Sequence, residues 1–181
     1  GNSSQAGYTF EEWKTLDGNQ NKTEEDYKKD ANNRYQVVIG QSTQALGKNS
    51  FAGGQGAIAK GNRSFAFGVD AGSKDSGLIP TTAEGENSFA FGKGVKAAGE
   101  YSFAIGETTN APGKRSVATG SATLSSGENS FAGGVQSVAE GKNSFAFGTV
   151  AGNAATPIHT EATGEGSIAL GKGVRAIGNQ S

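Results

Sequence analysis

Small and bulky side chains alternate along most of this chain in a five-residue motif, Ser–apolar–Ala–x–Gly, that recurs at a nearly constant spacing. Because side chains two residues apart on a β-strand share a face, each copy predicts a strand with Ser, Ala and Gly on one face and bulky apolar residues on the other. Most neighbouring copies begin 14 residues apart, a fixed short period typical of stacked identical coils. Eight copies begin at Ser50, Ser64, Ser88, Ser102, Ser116, Ser130, Ser144 and Ser167, and a degenerate ninth begins at Gln36.

The second half of each unit predicts another strand. It runs from the last glycine of the motif to a further glycine, as from Gly92 to Gly99, and contains short pieces such as 95–97. Two strands of about five residues each, with two glycine turns, fill one coil of an all-β parallel β-solenoid. A helix is excluded, because each glycine in a helix interior costs about 1 kcal/mol.

The bulky column of the first strand is mostly phenylalanine. A coil of 14 residues is thin, so we expect Ala and Ser to fill its interior and the rings to point outward. The opposite assignment, which would need no oligomer, crowds two rings into each coil and is disfavoured. An exposed apolar wall of this length exceeds what soluble monomers show, so identical chains are expected to cover it. The column comprises Phe51, Phe65, Phe67, Phe89, Phe91, Phe103, Phe131, Phe145 and Phe147.

A column of alternating charge supports stacking in register. The residue after the second glycine of successive coils is Glu100, Lys114, Glu128 and Lys142. Coils stacked about 4.8 Å apart would place these opposite charges side by side. Each exposed pair contributes only about 0–1 kcal/mol, so the column indicates register more than stability.

Composition and charge exclude several classes of protein. The 181 residues carry 16 Lys and Arg against 17 Asp and Glu, without the basic cluster of a nucleic-acid-binding protein. No long apolar run predicts membrane contact by this part of the chain. Cysteine is absent, which removes disulfides and thiolate catalysis. Nothing in the sequence indicates a cofactor or a metal site.

Residues 1–35 lack the repeat and form a separate segment from the predicted roll of 36–181. Thr23 is a candidate N-cap of a short helix, and 10–14 is a second helical candidate. We predict a polar cap over the first coil, which stacked repeats require; a mobile tail is the alternative.

Two insertions interrupt the period, near 69–84 and 149–163. Insertions in a solenoid become loops on one face, often the face that binds. The candidate contact residues for a host protein are Leu78, Ile79, Pro80, Pro157, Ile158 and His159. Alternatively, these loops lean on a neighbouring subunit. His159 is the only histidine, which is weak support for a metal ligand or a catalytic base.

Units such as 87–92 (Asn-Ser-Phe-Ala-Phe-Gly) and 143–148 resemble the head repeats of trimeric autotransporter adhesins of Gram-negative bacteria, the YadA-like family. The resemblance covers 36–181. It implies a left-handed parallel β-roll, a homotrimer, and display at the cell surface on the outer membrane above a stalk and anchor that are not in this sequence. Phenylalanine in place of the more usual Val or Ile is a departure that would widen the trimer core. The family offers no catalytic residues to carry over.

The leading functional hypothesis is therefore an adhesin head, not an enzyme. The resemblance implies binding to collagen, fibronectin or laminin, or to a host receptor of the carcinoembryonic-antigen type. A structural spacer or an autoaggregation module of a larger adhesin is the alternative. A solenoid acyltransferase is disfavoured, because its coils would hold about eighteen residues and its catalysis would need a second histidine.

Overall fold

The computed structural model describes residues 5–6, 35–73, 77–153 and 155–181, and all regular structure in these ranges is β. The predicted cap lies outside the described residues, except for a two-residue strand and Tyr35. In chain order the strands are β1 (Gln5–Ala6), β2 (Val37–Gln41), β3 (Gln44–Ala45), β4 (Phe51–Gln55), β5 (Ile58–Ala59), β6 (Phe65–Val69), β7 (Ala71–Ser73), β8 (Gly77–Ile79), β9 (Thr82–Ala83), β10 (Phe89–Lys93), β11 (Lys96–Ala97) and β12 (Phe103–Glu107). The remaining strands are β13 (Asn110–Ala111), β14 (Val117–Ser121), β15 (Leu124–Ser125), β16 (Phe131–Val135), β17 (Val138–Ala139), β18 (Phe145–Thr149), β19 (Ala151–Gly152), β20 (Pro157–Ile158), β21 (Glu161–Ala162), β22 (Ile168–Lys172) and β23 (Arg175–Ala176).

Two parallel sheets run the length of the molecule. The long-strand sheet has nine strands in the order β2-β4-β6-β10-β12-β14-β16-β18-β22, and the short-strand sheet has ten in the order β1-β3-β5-β9-β11-β13-β15-β17-β21-β23. Each coil contributes one strand to each sheet, and equivalent residues pair, as Phe89 does with Phe103. These pairings confirm the predicted parallel β-solenoid with a period of 14 residues.

The second strand of each coil is shorter than predicted, with two residues instead of about five. Turns at both ends consume the rest of that half. In the coil of β12, Thr108 takes a φ of 52°, which delays the start of β13, and the corner at Gly113 follows soon after Ala111. The left-handed conformation cannot continue a strand, so only the middle of the half remains extended.

The other corner of the coil depends on its Asn-Ser pair. Asn129 adopts a φ of 56°, a left-handed conformation that asparagine tolerates better than most residues. The buried Oγ of Ser130 then donates a 2.7 Å hydrogen bond to the carbonyl O of Gly127. The corner thus satisfies its own buried polar groups without a larger side chain.

The interior is narrow and filled by small residues. The alanines at the second position of the long strands, from Ala52 to Ala169, have no exposed surface, and Val95 is the largest fully buried side chain among the described residues. The motif serines are also buried; Ser64 is 2% exposed. The predicted partition, with Ser and Ala inside and phenylalanine outside, is confirmed by these exposures.

Glycine at the fourth position of the long strand lets the coils approach closely. Gly54 has a φ of 105°, and a Cβ there would collide with the carbonyl O of Gly68 in the next coil. The same relation holds from Gly40 to Gly148 along the sheet. A side chain at this position would force neighbouring coils apart.

Candidate binding surfaces

The outer face of the long-strand sheet is an apolar wall, called here the phenylalanine face and formed by the first and third residues of its strands. Rings at the first position stack with centroids 4.8 Å apart for Phe51 and Phe65, and 4.7 Å apart for Phe65 and Phe89. The ladder continues to Phe103 at 4.9 Å, stops where β14 carries Val117, and resumes in a later pair. Identical rings line up because the coils pair in register, as the parallel ladder requires.

Rings at the third position are more exposed. Phe67, Phe91 and Phe147 are 38%, 44% and 49% exposed, and Leu170 at the end of the column is 59% exposed. The remaining phenylalanines of the predicted column are half-buried, except Phe103, which is exposed; the half-buried ones are Phe51, Phe65, Phe89, Phe131 and Phe145.

Two glycines interrupt the third column and are covered by rings from the next coil. A Cβ on Gly53 would lie 2.5 Å from Cδ2 of Phe67, and one on Gly133 would lie 2.7 Å from Cδ2 of Phe147. Both glycines are buried although they belong to the outward face. Each ring therefore reclines over a glycine, which lowers the wall at β4 and β16.

The first insertion is a β-hairpin, called here hairpin 1, in which β7 and β8 pair antiparallel with Ala71 opposite Ile79. The expectation of an irregular loop was incomplete, because Gly72 with a φ of 81° and the exposed apolar residues of β8 allow the inserted chain to pair with itself. Leu78 and Ile79 are 53% and 52% exposed, and Pro80 is half-buried at the base.

Two contacts hold the base of hairpin 1. The buried Oγ1 of Thr81 lies 3.1 Å from the carbonyl O of Val69 and 2.9 Å from that of Gly92, so one hydroxyl ties the hairpin's entry strand to the next coil. Gly94 provides the seat, since a Cβ there would overlap the Cβ of Ala71. Hairpin 1 is thus anchored to the scaffold on both sides.

The second insertion, hairpin 2, repeats this construction five coils further on. β19 and β20 pair antiparallel with Ala151 opposite Ile158, and Gly173 forms the seat under Ala151. Oγ1 of Thr160 lies 3.0 Å and 2.8 Å from the carbonyl oxygens of Thr149 and Gly171. Since coils rise about 4.8 Å each, the two hairpins stand about 24 Å apart along the solenoid.

A shallow cleft lies beside hairpin 2. Its volume is about 410 Å³, and its lining residues are Gln136, Val150, Ala151, Gly152, Asn153, Pro157 and His159. His159 is half-buried, and its Nδ1 donates to the carbonyl O of Gln136 at 3.1 Å. Within the described ranges, no three His, Asp or Glu side chains come together as a metal site.

The charged column pairs as its alternation predicts, with additional partners. Nζ of Lys114 lies 2.7 Å from Oε2 of Glu100, and Nζ of Lys142 lies 3.9 Å from Oε2 of Glu128. Arg115 also binds Glu128, a contact that the sequence analysis missed. These pairs are about half exposed, so they fix register more than they stabilise the fold.

Glu84 on the short-strand side is the most strongly paired carboxylate described. It lies 3.1 Å from Nζ of Lys60 and 2.9 Å from Nζ of Lys96, one in each neighbouring coil. Burial raises the pKa of Glu84, but hydrogen bonds from Lys96 and Lys60 and their charges outweigh it and hold the pKa below its ordinary value. The insertion between Lys60 and Glu84 hid this contact from a reading based on a period of 14.

The structure separates the predicted site residues into two places. The phenylalanine column forms one continuous face, whereas the six insertion residues divide between the two hairpins. The threonine clips and glycine seats beneath the hairpins were not predicted. Their signal was present in the sequence, because Thr81 and Thr160 occupy the same position of the coil and glycine recurs at positions 94 and 173.

The family model for the YadA head domain repeat matches this chain in five overlapping or separate stretches: 37–57, 45–71, 97–123, 125–151 and 160–173. Together these stretches cover more than half of the chain and most of the solenoid. No curated protein matches the chain. Among the described residues, no helix is long and apolar enough to cross a membrane.

Proposed function

The chain belongs to the family of YadA head domain repeats and is thus an adhesin-type head, and from this premise we propose that it attaches a Gram-negative bacterium to host tissue. The family is one of adhesins and not of enzymes. The proposed location is the cell surface, where the head is held away from the outer membrane by parts of the protein outside this sequence.

The observation that carries the proposal is the pairing of a rigid rod with two anchored, apolar projections. Leu78, Ile79 and Ile158 are 53%, 52% and 46% exposed on hairpins whose bases are fixed by buried hydroxyls. Exposed apolar side chains on a preorganised backbone suit protein recognition, because little ordering is needed when the partner binds. The proposed partners are collagen, fibronectin, laminin or a receptor of the carcinoembryonic-antigen type.

We further propose that three copies associate through the phenylalanine face. Phe67, Phe91 and Phe147 leave more apolar surface exposed than a soluble monomer usually does. A rod-long apolar wall is best covered by an equally long wall, and a closed ring of identical chains supplies one. Three copies would present six hairpins, so weak individual contacts would add up through multivalency.

The function is tested by binding of the 181-residue head to each proposed partner after removal of the hairpins. Residues 70–80 are replaced by one Thr, as Thr108 links β12 to Thr109, and 150–159 by one Gln, as Gln136 links β16 to Ser137. Each variant keeps the coil pairing, so its circular dichroism should match the parent. We expect binding to fall about tenfold or more, a loss typical of removing central apolar anchors.

The possible results separate the hypotheses. Full binding by both deletions would place the contact on the solenoid itself. Absence of binding by the parent to every proposed partner would contradict host attachment and favour the spacer or autoaggregation role.

Association is tested separately by sedimentation equilibrium. Replacing Phe67 and Phe147 by Gln should shift the mass from three chains toward one, because polar groups would be buried in the interface. Ile58→Gln with Val138→Gln, on the outer face of the short-strand sheet, is the matched control. A parent that stays monomeric at micromolar concentration would contradict the trimer.

A further inference from the structure

We propose that the free edge of β8 in hairpin 1 accepts an extended segment of the host protein as an added β-strand, and that Pro157 closes the equivalent edge of β20 in hairpin 2. This inference rests on the proposed function, in which the hairpins contact the host protein. It assigns the two hairpins different roles despite their common construction.

The edge of β8 is open. In the described part of the chain β8 pairs with β7 alone, and all three of its residues, Gly77, Leu78 and Ile79, are exposed. Natural edge strands are usually protected by a charge, a proline or a covering segment. β8 contains neither a charged residue nor a proline, so its backbone groups remain open to another strand.

Comparison of the hairpins shows which backbone group faces that edge. Gly72 lies opposite Leu78 in hairpin 1, and Gly152 lies opposite Pro157 in hairpin 2, each directly beyond a base pair of Ala with Ile. Proline fits a paired strand only where its nitrogen points away from the partner. Residue 157 therefore directs its nitrogen to the free edge, and Leu78, at the same register, directs its N–H there.

In an antiparallel pair the N–H and C=O of one residue point to the same side. Leu78 consequently offers both a donor and an acceptor to an added strand, whereas Pro157 offers no donor. One change in residue type thus separates an open edge from a closed one.

The surroundings of β8 define the chemistry of the ligand. The side chains of Leu78 and Ile79 project to opposite faces of the hairpin, so they would flank an added strand above and below. A segment with β-branched or apolar residues and no central charge matches them. The Thr81 clip and the Gly94 seat hold the edge in place before binding, and a third strand stabilises a two-stranded hairpin that is marginal alone.

The test uses a soluble model strand as the probe: a fluorescent heptapeptide of alternating Thr and Val with Lys at both ends. Its control carries N-methyl groups on the three central residues, which removes amide donors but keeps the side chains. Binding to the 181-residue chain is followed by fluorescence anisotropy, and exchange of the Leu78 amide by NMR. We expect saturable binding, slower Leu78 exchange in the complex, and about tenfold or more weaker binding of the N-methylated peptide.

Two reciprocal variants complete the experiment. L78P should abolish binding, and P157L should create a second site and raise the stoichiometry from one peptide per chain to two. Exchange of the Gly72 and Gly152 amides monitors whether each hairpin remains folded, and P157L remains decisive if L78P unfolds hairpin 1. The proposal is overturned by equal binding of the N-methylated peptide, by absence of saturable binding, or by a folded P157L chain without a second site.

Failure of this proposal is distinguishable from failure of the proposed function. Host-protein binding that depends on hairpin 1 but is unchanged in L78P would retain the attachment function and reject strand addition. Peptide binding at β8 by a head that binds no host protein would retain the strand site and reject host attachment as its role.

Discussion

Phe67 lies across Gly53, with its Cδ2 atom 2.5 Å from the point where a Cβ on Gly53 would stand. Gly54, the next residue, instead faces the backbone of the following coil and has a φ of 105°. Two adjacent glycines therefore serve different purposes, one making room for a movable ring and the other for a fixed carbonyl.

Substituting these neighbours by alanine should give very different stabilities. Gly53→Ala is expected to cost less than about 1 kcal/mol, because the half-exposed ring of Phe67 can turn outward. Gly54→Ala is expected to cost about 3 kcal/mol or more, since it adds backbone strain to a collision with the Gly68 carbonyl. Urea unfolding followed by circular dichroism measures both, and similar losses would contradict the distinction.

The threonine clip of hairpin 1 predicts a second contrast. Thr81→Val should lower the free energy of unfolding by about 1–3 kcal/mol, because it leaves buried carbonyls without a donor. Thr109→Val, in the same buried column, should be neutral or stabilising, since the Oγ1 of Thr109 has no hydrogen-bond partner. Hydrogen exchange should quicken in hairpin 1 only in Thr81→Val. Equal effects of the two substitutions would show that the hydroxyl bonds of Thr81 contribute nothing.

The seat of hairpin 1 predicts a rescue. Gly94→Ala should displace the hairpin and cost about 1–3 kcal/mol, because the new methyl group overlaps that of Ala71. The backbone itself tolerates alanine, as Ala122 adopts a φ of 53° at the equivalent position. Adding Ala71→Gly should recover much of the loss, and a double-mutant cycle measures this coupling. Purely additive effects would contradict direct contact.

The ion pairs of Glu84 predict a dependence on pH. Because the pKa of Glu84 is lower in the folded chain than its ordinary value of 4.5, its stabilising contribution is present above that value and is lost as the pH falls through the folded pKa. Glu84→Gln should therefore cost about 1 kcal/mol or less near neutral pH and nothing in acid. Thermal unfolding across pH checks this, with Glu140→Gln, from the same outward column, as the control. A cost that persists in acid would exclude the ion pairs as its cause.

The period and the alternation of side chains could be read from the sequence because each coil repeats the same local choices. Ala66 and Phe67 belong to opposite faces by spacing alone, and the thinness of the coil decides which face is inside. The length of the second strand could not be read in this way. It depends on left-handed residues as different as Thr108, Ala122 and Gln136, which share a backbone conformation but no side-chain chemistry.

The hairpins were located but their structure was not predicted. Short insertions with glycine and proline are typical of loops, and the pairing of Ala71 with Ile79 depends on a seat that Gly94 provides from the next coil. The contact of Glu84 with Lys60 was hidden for a related reason, since the insertion moves the partners 24 residues apart. Sequence spacing identifies neighbours within a regular stack and fails where a detour separates them.

The coils on either side of each hairpin stay in register, with Phe65 opposite Phe89 and Phe145 opposite Ile168. The chain can therefore leave the stack at this corner and return without disturbing the scaffold. Foreign peptides of similar length, flanked by the native threonine and glycine, should be displayed there in an ordered array. The corner is thus a ready position for grafting epitopes onto a rigid carrier.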